Sequence, residues 1–278
     1  MNDPVLDRME EELGIRGRSP STIAAYLGIL RRFKALYREP LKDLDVEDAR
    51  AYLIRLKGAG LSASSINQAQ GTFRFLFRHV LGRPEVLERL PMHKRPTRIP
   101  SVLARSQVRE LVREIRNPKY RTFTMLLYSS GLRVSEALHL KPKDIDSRRM
   151  RIIVRGGKGN KDREVVLAHR LLDQLRDYWY IQRPKEWLFP GKKPGKPMHK
   201  ATIQRVIREA GRAAGIRKAV SPHILRHSFA THLLENGTPL PYIQKMLGHG
   251  SIQTTMVYLK VTAEGIDKVV SPLDQLGL

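Results

Sequence analysis

Apolar residues recur at alternating three- and four-residue intervals through most of the chain, so most of it is expected to be helical. Ser19-Pro20-Ser21-Thr22 opens a helix in which Ile23, Tyr26, Leu27, Leu30, Phe33 and Leu36 share one face, with Arg31, Arg32 and Lys34 pointing outward. Residues 45–56, closed by Gly58 and Gly60, form a second amphipathic helix. Residues 62–80 form a third, with Ile66, Phe73, Leu76, Phe77 and Val80 inward, and a helix over 4–13 packs on them. Pro91, His93, Lys94, Arg95, Pro96, Arg98 and Pro100 then make a basic, proline-rich connector.

Beyond it, Val108, Leu111, Val112 and Ile115 mark one helix, Phe123, Leu126 and Leu127 the next, and a new one begins after the glycine turn at Gly131. The period then changes. Arg151-Ile-Ile-Val-Arg155 and Glu164-Val-Val-Leu167 are β-branched runs flanking Gly156-Gly-Lys158-Gly-Asn-Lys161, a hairpin signal, and a short strand around 144–146 completes three strands. Helices over 171–181 and 202–214 follow, separated by a Pro/Gly/Lys loop over 190–197, with Trp179, Trp187 and Phe189 expected in the core. The fold class expected is mainly α with a small antiparallel sheet (α+β). Three parts are expected: a helical bundle over 1–90, a linker over 91–100 and an α+β domain over 101–278.

Residues 221–260 concentrate ionisable side chains between helix signals. Ser221-Pro222 reads as a helix start, because the first N–H groups of a helix lack partners and proline removes one of them at no loss. His223 and Arg226 lie one turn apart on one face, while Leu225, Phe229, Leu233 and Leu234 anchor the other, and Asn236-Gly237 ends the helix. A short helix over 242–247 is stopped by Gly248. His249 then sits in a Gly-His-Gly turn with no neighbouring side chain expected to screen it, and Ser251 caps a last helix that carries Tyr258.

Composition narrows the partner. The 278 residues hold 51 Lys and Arg against 27 Asp and Glu, a net charge of +24 spread along the chain, which predicts a polyanion bound in a steeply salt-dependent way. No apolar run approaches a membrane span, so nucleic acid is favoured over an acidic bilayer. The chain has no cysteine, so disulfides and thiolate metal sites are excluded. The acidic start MNDPVLDRMEEELG lacks the pattern of a secretory signal, and cytoplasmic residence is expected.

A tyrosine, an arginine and two histidines within residues 221–260 suit phosphodiester chemistry. A phenol is a weak nucleophile that needs a proton acceptor and a well-stabilised target, and guanidinium forks match the non-bridging oxygens of a phosphate. Taken singly, each residue has a plainer explanation: Tyr258 as core or rim, His223 as a hydrogen bonder at a helix start, Arg226 as surface charge, and Arg133 with Glu136 as an exposed ion pair. Zinc held by His223 and His227 is disfavoured because Ile224 stands where a zincin carries Glu. The glycine-rich turn lacks Walker spacing.

Together, Gly131-Leu-Arg133, the lysine turn, His223-Ile-Leu-Arg226-His-Ser-Phe-Ala-Thr-His, Leu247-Gly-His249 and Tyr258 nine residues later resemble the tyrosine recombinases of the phage-integrase family, Xer-like and integron-integrase-like. The resemblance spans essentially the whole chain. It implies that the amino-terminal bundle is a core-binding domain clamping double-stranded DNA, with Arg31, Arg32, Lys34, Lys94, Arg95 and Lys161 as DNA contacts. It further implies catalysis by Arg133, Lys158, His223, Arg226, His249 and the nucleophile Tyr258, with Glu136 orienting Arg133. Neither metal nor other cofactor is expected. The implied partners are a homo-tetramer on DNA, with the tail after Tyr258 docking in trans, and accessory proteins. A type IB topoisomerase or a catalytically silent DNA-binding regulator would share parts of this pattern.

Overall fold

The computed structural model describes residues 3–90, 100–156 and 162–260, and the chain divides into two compact units, 1–97 and 98–278. The expected DNA contacts Lys94, Arg95 and Lys161, the lysine Lys158 and the tail 261–278 lie outside the described residues.

Among the described residues the amino-terminal unit holds four α-helices, α1 (Pro4–Ile15), α2 (Pro20–Lys34), α3 (Val46–Gly58) and α4 (Ala63–Phe75), the last continuing through one wide turn, Leu76–Val80; a 3₁₀ turn, Pro84–Arg89, follows. Each α-helix start is capped as its sequence suggests. The Asp3, Ser19, Asp45 and Ser62 side chains accept from amides in the first turn, satisfying donors that would otherwise have no partner. Met9, Leu13, Leu30, Phe33 and Phe73 are almost wholly buried, and the rings of Phe33 and Phe73 meet edge-on at 4.8 Å.

Two expectations fail at the end of α2. Leu36 is exposed, because the helix stops at Lys34 and the helical period no longer governs the next residues. Lys34 is half-buried, its ammonium donating to the carbonyls of Tyr37 (3.2 Å) and Arg38 (3.4 Å), so it closes the helix instead of projecting outward as Arg31 and Arg32 do.

The second unit is built around α6 (Pro118–Ser130), whose Phe123, Leu126 and Leu127 are fully buried. Around it pack α5 (Arg105–Glu114), the short α7 (Val134–Leu138), α8 (His169–Gln182), α9 (Lys200–Ala213) and α10 (Pro222–Glu235). Strands β1 (Ile145–Asp146), β2 (Arg151–Val154) and β3 (Arg163–Val166) form an antiparallel sheet in that order, with Arg151 opposite Val166 and Val154 opposite Arg163. The architecture is therefore mainly α with a small antiparallel sheet. α11 (Leu240–Leu247), α12 (Gln253–Met256) and a 3₁₀ turn, Val257–Lys260, close the described chain.

Of the three aromatic residues expected in the core, only Phe189 is fully buried. Trp179 is exposed because Tyr178 takes the core position, stacked on Phe189 at 5.2 Å, and the next residue of a helix is rotated about 100° away. The Arg183 guanidinium covers the Trp179 ring at 4.2 Å. Trp187 is half-buried, donating to the Gly195 carbonyl at 3.1 Å. Among the described residues no helix is long and apolar enough to cross a membrane.

Candidate active site

Gly131 ends α6 with a left-handed φ of 63°, and a Cβ there would lie 2.3 Å from Cδ1 of Phe229 on α10. Only glycine permits both the turn and the close approach. This contact seats α10 against the turn that carries Arg133. On α10 itself Leu225, Phe229 and Ala230 face inward, while His223 lies one turn before Arg226 and His227, and all three line one cavity.

Only 4% of the surface of Arg226 is exposed, and its guanidinium makes three hydrogen bonds. Nη1 donates to the Gly131 carbonyl at 2.5 Å, and Nη2 donates to the Leu247 carbonyl at 2.7 Å and to Nε2 of His249 at 3.1 Å. Burial, then the neighbouring Arg133, lowers its pKa to about 10, so it keeps its charge at neutral pH.

Arg133 caps α7. The Glu136 carboxylate accepts both its amide and its guanidinium at 2.8 Å, and Nη2 of Arg133 reaches the Gly248 carbonyl at 3.3 Å. A third arginine, Arg163 on β3, grips the same carboxylate with two bonds of 3.0 and 2.7 Å, while its Nε donates to the Met246 carbonyl at 3.0 Å. Three consecutive carbonyls at the end of α11, those of Met246, Leu247 and Gly248, are thus each held by a different arginine. The turn bearing His249 is fixed by them.

Burial alone would raise the pKa of Glu136. The hydrogen bonds from Arg163 and then from Arg133 overcome this and bring it down to about 2. Because its folded pKa lies below the unfolded value, its stabilisation is present above about pH 4.5 and is lost as pH falls towards 2. Glu136→Gln should therefore lower stability at neutral pH by roughly 3 kcal/mol and flatten the acid limb of urea midpoints across that window.

His249 does not stand unscreened in its turn as the sequence suggested. It is half-buried between Arg226 and Thr255, whose Oγ1 lies 2.9 Å from His249 Nδ1. Since a guanidinium only donates, Nε2 accepts, and the proton of the neutral ring belongs on Nδ1.

Tyr258 is 1% exposed and packs with Phe229, Ala230, Ile243 and Leu247. Its hydroxyl lies 3.0 Å from Nδ1 of His227, not of His223. Burial raises the phenol pKa, and Arg226 opposes it. Burial, then His223 and Arg226, drops His227 to about 4, so its imidazole is neutral at physiological pH; His223 is lowered by burial, Arg226, Lys200 and Arg133.

One cavity of about 850 Å³ is lined by Arg133, His223, Arg226, His227, His249 and Tyr258. The structure so brings together every described member of the predicted set and adds three residues that sequence reasoning did not single out for the site. In sequence His227 is a candidate only as a zinc partner, and Arg163 and Thr255 have no assigned role. Two of these carry a signal in hindsight, a charged residue on the inward side of a strand end and a second imidazole one turn from the first. Among the described residues Glu136 is the one carboxylate bonded to Arg133 and Arg163, so with Arg226 these arginines leave a local excess of positive charge suited to a phosphodiester.

Residues 101–264 match the phage integrase family, and residues 5–85 match the phage integrase N-terminal SAM-like domain. The chain belongs to the phage integrase family. This recombinase is 38% identical over 269 residues to the tyrosine recombinase XerA of Thermococcus onnurineus, covering 95% of this chain and 93% of that one. It is 35% identical over 275 residues to the XerA of Pyrococcus furiosus, covering 97% and 94%. Its fold matches a lambda integrase dimer bound to a COC′ core site, with a TM-score of 0.77 at 20% identity over 96% of this chain and 98% of that one. The recombinase is thus an enzyme of DNA recombination of the tyrosine type.

Proposed function

We propose that this enzyme is a site-specific DNA recombinase that cuts and rejoins strands through a 3′-phosphotyrosyl intermediate, acting as a tetramer on two sites. The observation that carries the reading is the single cavity in which the phenol of Tyr258 and the guanidinium groups of Arg133 and Arg226 meet. Solved relatives bound to DNA support duplex DNA as the partner.

Tyr258 attacks the scissile phosphorus as its P–O5′ bond breaks, leaving a free 5′-hydroxyl that later attacks a partner strand's phosphotyrosyl bond. The bond energy is kept in the covalent link, so no nucleotide is consumed. Arg133 and Arg226 neutralise the charge that develops on the non-bridging oxygens, and His223 assists proton traffic beside them. Thr255 can both donate and accept, so His249 can exchange tautomers and donate from Nε2 once a phosphate oxygen replaces it as the partner of Arg226. Lys158 protonates the leaving 5′-oxygen. Arg31, Arg32, Lys94, Arg95 and Lys161 contact the backbone, the 1–90 bundle and 91–100 linker hold the duplex in the cytoplasm, and the 261–278 tail docks in trans.

A nicked suicide duplex tests the reaction, since the cut strand diffuses away and traps the adduct. Two-site plasmids then separate recombination from a topoisomerase, which would relax one plasmid without recombinants, and from a silent binder, which would trap nothing. The role of Lys158 is read with a 5′-bridging sulfur, a leaving group that needs no proton. Lys158→Ala should lose about 10² to 10⁴ in rate on ordinary DNA and recover on the sulfur substrate. Equal slowness on both would remove Lys158 as the acid.

A further inference from the structure

We infer that His227, which stands outside the predicted set, is a catalytic residue: its Nδ1 holds the phenol of Tyr258 and receives the phenolic proton as the oxygen attacks phosphorus. The inference rests on Tyr258 being the nucleophile and adds the acceptor that this nucleophile requires.

The geometry is specific. Tyr258 lies on the closing 3₁₀ turn with 1% of its surface exposed, so bulk water is not at hand to take its proton. Its bond to His227 Nδ1, 3.0 Å long, is the phenol's one hydrogen bond among the described residues. The two rings stand 5.7 Å apart at 54°, a tilt that turns the imidazole edge towards the hydroxyl. His223 begins one turn earlier on α10, and its ring stacks on that of His227 with centroids 6.3 Å apart. The hydrogen bond to the nucleophile belongs to the second imidazole of the pair.

The surroundings keep that imidazole ready to accept. The charged and titratable groups lining its cavity are His223 and Arg226 on its own helix, Arg133, His249 and Tyr258, with no carboxylate among them. Such a setting disfavours an imidazolium before the reaction, and burial, His223 and Arg226 accordingly depress His227. A neutral ring with its proton on Nε2 presents the Nδ1 lone pair to the phenol.

The proton account closes. During cleavage the phenolic O–H gives its proton to His227 Nδ1, the O–P bond forms, the P–O5′ bond breaks and the 5′-oxygen takes a proton from its own acid. During rejoining the incoming 5′-hydroxyl gives up its proton, and His227 returns one to the departing phenolate. No co-reactant is needed, and His227 ends each cycle neutral.

The test is single-turnover cleavage of the nicked suicide duplex across pH, with DNA binding followed by gel shift. The unsubstituted enzyme should cleave at a nearly constant rate between about pH 6 and 8, while His227→Asn and His227→Gln should be about 10² to 10⁴-fold slower at neutral pH and gain about tenfold per pH unit, as hydroxide must now remove the proton. Imidazole in the buffer should partly restore His227→Ala and leave Tyr258→Phe inactive. Rates and pH profiles like those of the unsubstituted enzyme in both His227 variants would overturn the inference, as would a loss with neither the pH slope nor rescue. Should these variants fold poorly, ring resonances decide instead: removing the phenol in Tyr258→Phe should move the His227 titration upward, and an unchanged titration would overturn the assignment. An adduct formed by Tyr258→Phe would sink the nucleophile reading itself, a result distinguishable from failure at His227.

Discussion

Tyr258→Phe should bind its DNA site as tightly as the parent enzyme and form no covalent adduct at all. Phenylalanine keeps the ring that packs between Phe229, Ala230, Ile243 and Leu247 and removes only the hydroxyl. The folded state loses one hydrogen bond, to His227, at a cost of about 1 kcal/mol, which shifts a melting midpoint by a few degrees without unfolding the chain. Binding rests on the distributed +24 charge and is indifferent to one neutral oxygen. Denaturing gels of the suicide duplex read the outcome, and any adduct in the variant would move the nucleophile elsewhere.

The second large effect is expected at Arg226. Arg226→Lys keeps the charge but replaces a planar fork with a point donor that cannot reach the carbonyls of Gly131 and Leu247 and a phosphate oxygen together. Cleavage should fall about 10² to 10³-fold, the 3 to 4 kcal/mol typical of losing one transition-state donor. The salt dependence of binding should change by about one phosphate contact at most. If single-turnover rates stayed within threefold of the parent enzyme, the bidentate role would be wrong. A parallel loss in binding and rate would instead indicate a site disturbed as a whole.

How far the chain could be read in advance depended on sequence distance. Helix ends were legible because caps are local: Ser19, Asp45, Ser62 and Ser221 each serve amides two or three residues on. The hairpin was legible from period and turn chemistry. Leu36 and Trp179 misled because a period says which side of a helix a residue takes only while the helix lasts and only to within one position of the core stripe. The site members Arg133, His223, Arg226, His249 and Tyr258 were legible as a family pattern, whereas Arg163 binds Glu136 across 27 residues and His227 meets Tyr258 across 31. Pairings of that kind have no period and no local signal; they exist only once β3, α7, α10 and the last turn are assembled.

The three arginines on the end of α11 bear on how little must change when a substrate arrives. A guanidinium left in water keeps its rotamers and hydration shell, and giving these up on contact costs up to about 2 kcal/mol in side-chain entropy alone. Here the peptide oxygens of Met246, Leu247 and Gly248 already hold those groups in place. An incoming phosphate meets dipoles aligned during folding, so the reorganisation energy of the charge-stabilising step is small before any DNA is present.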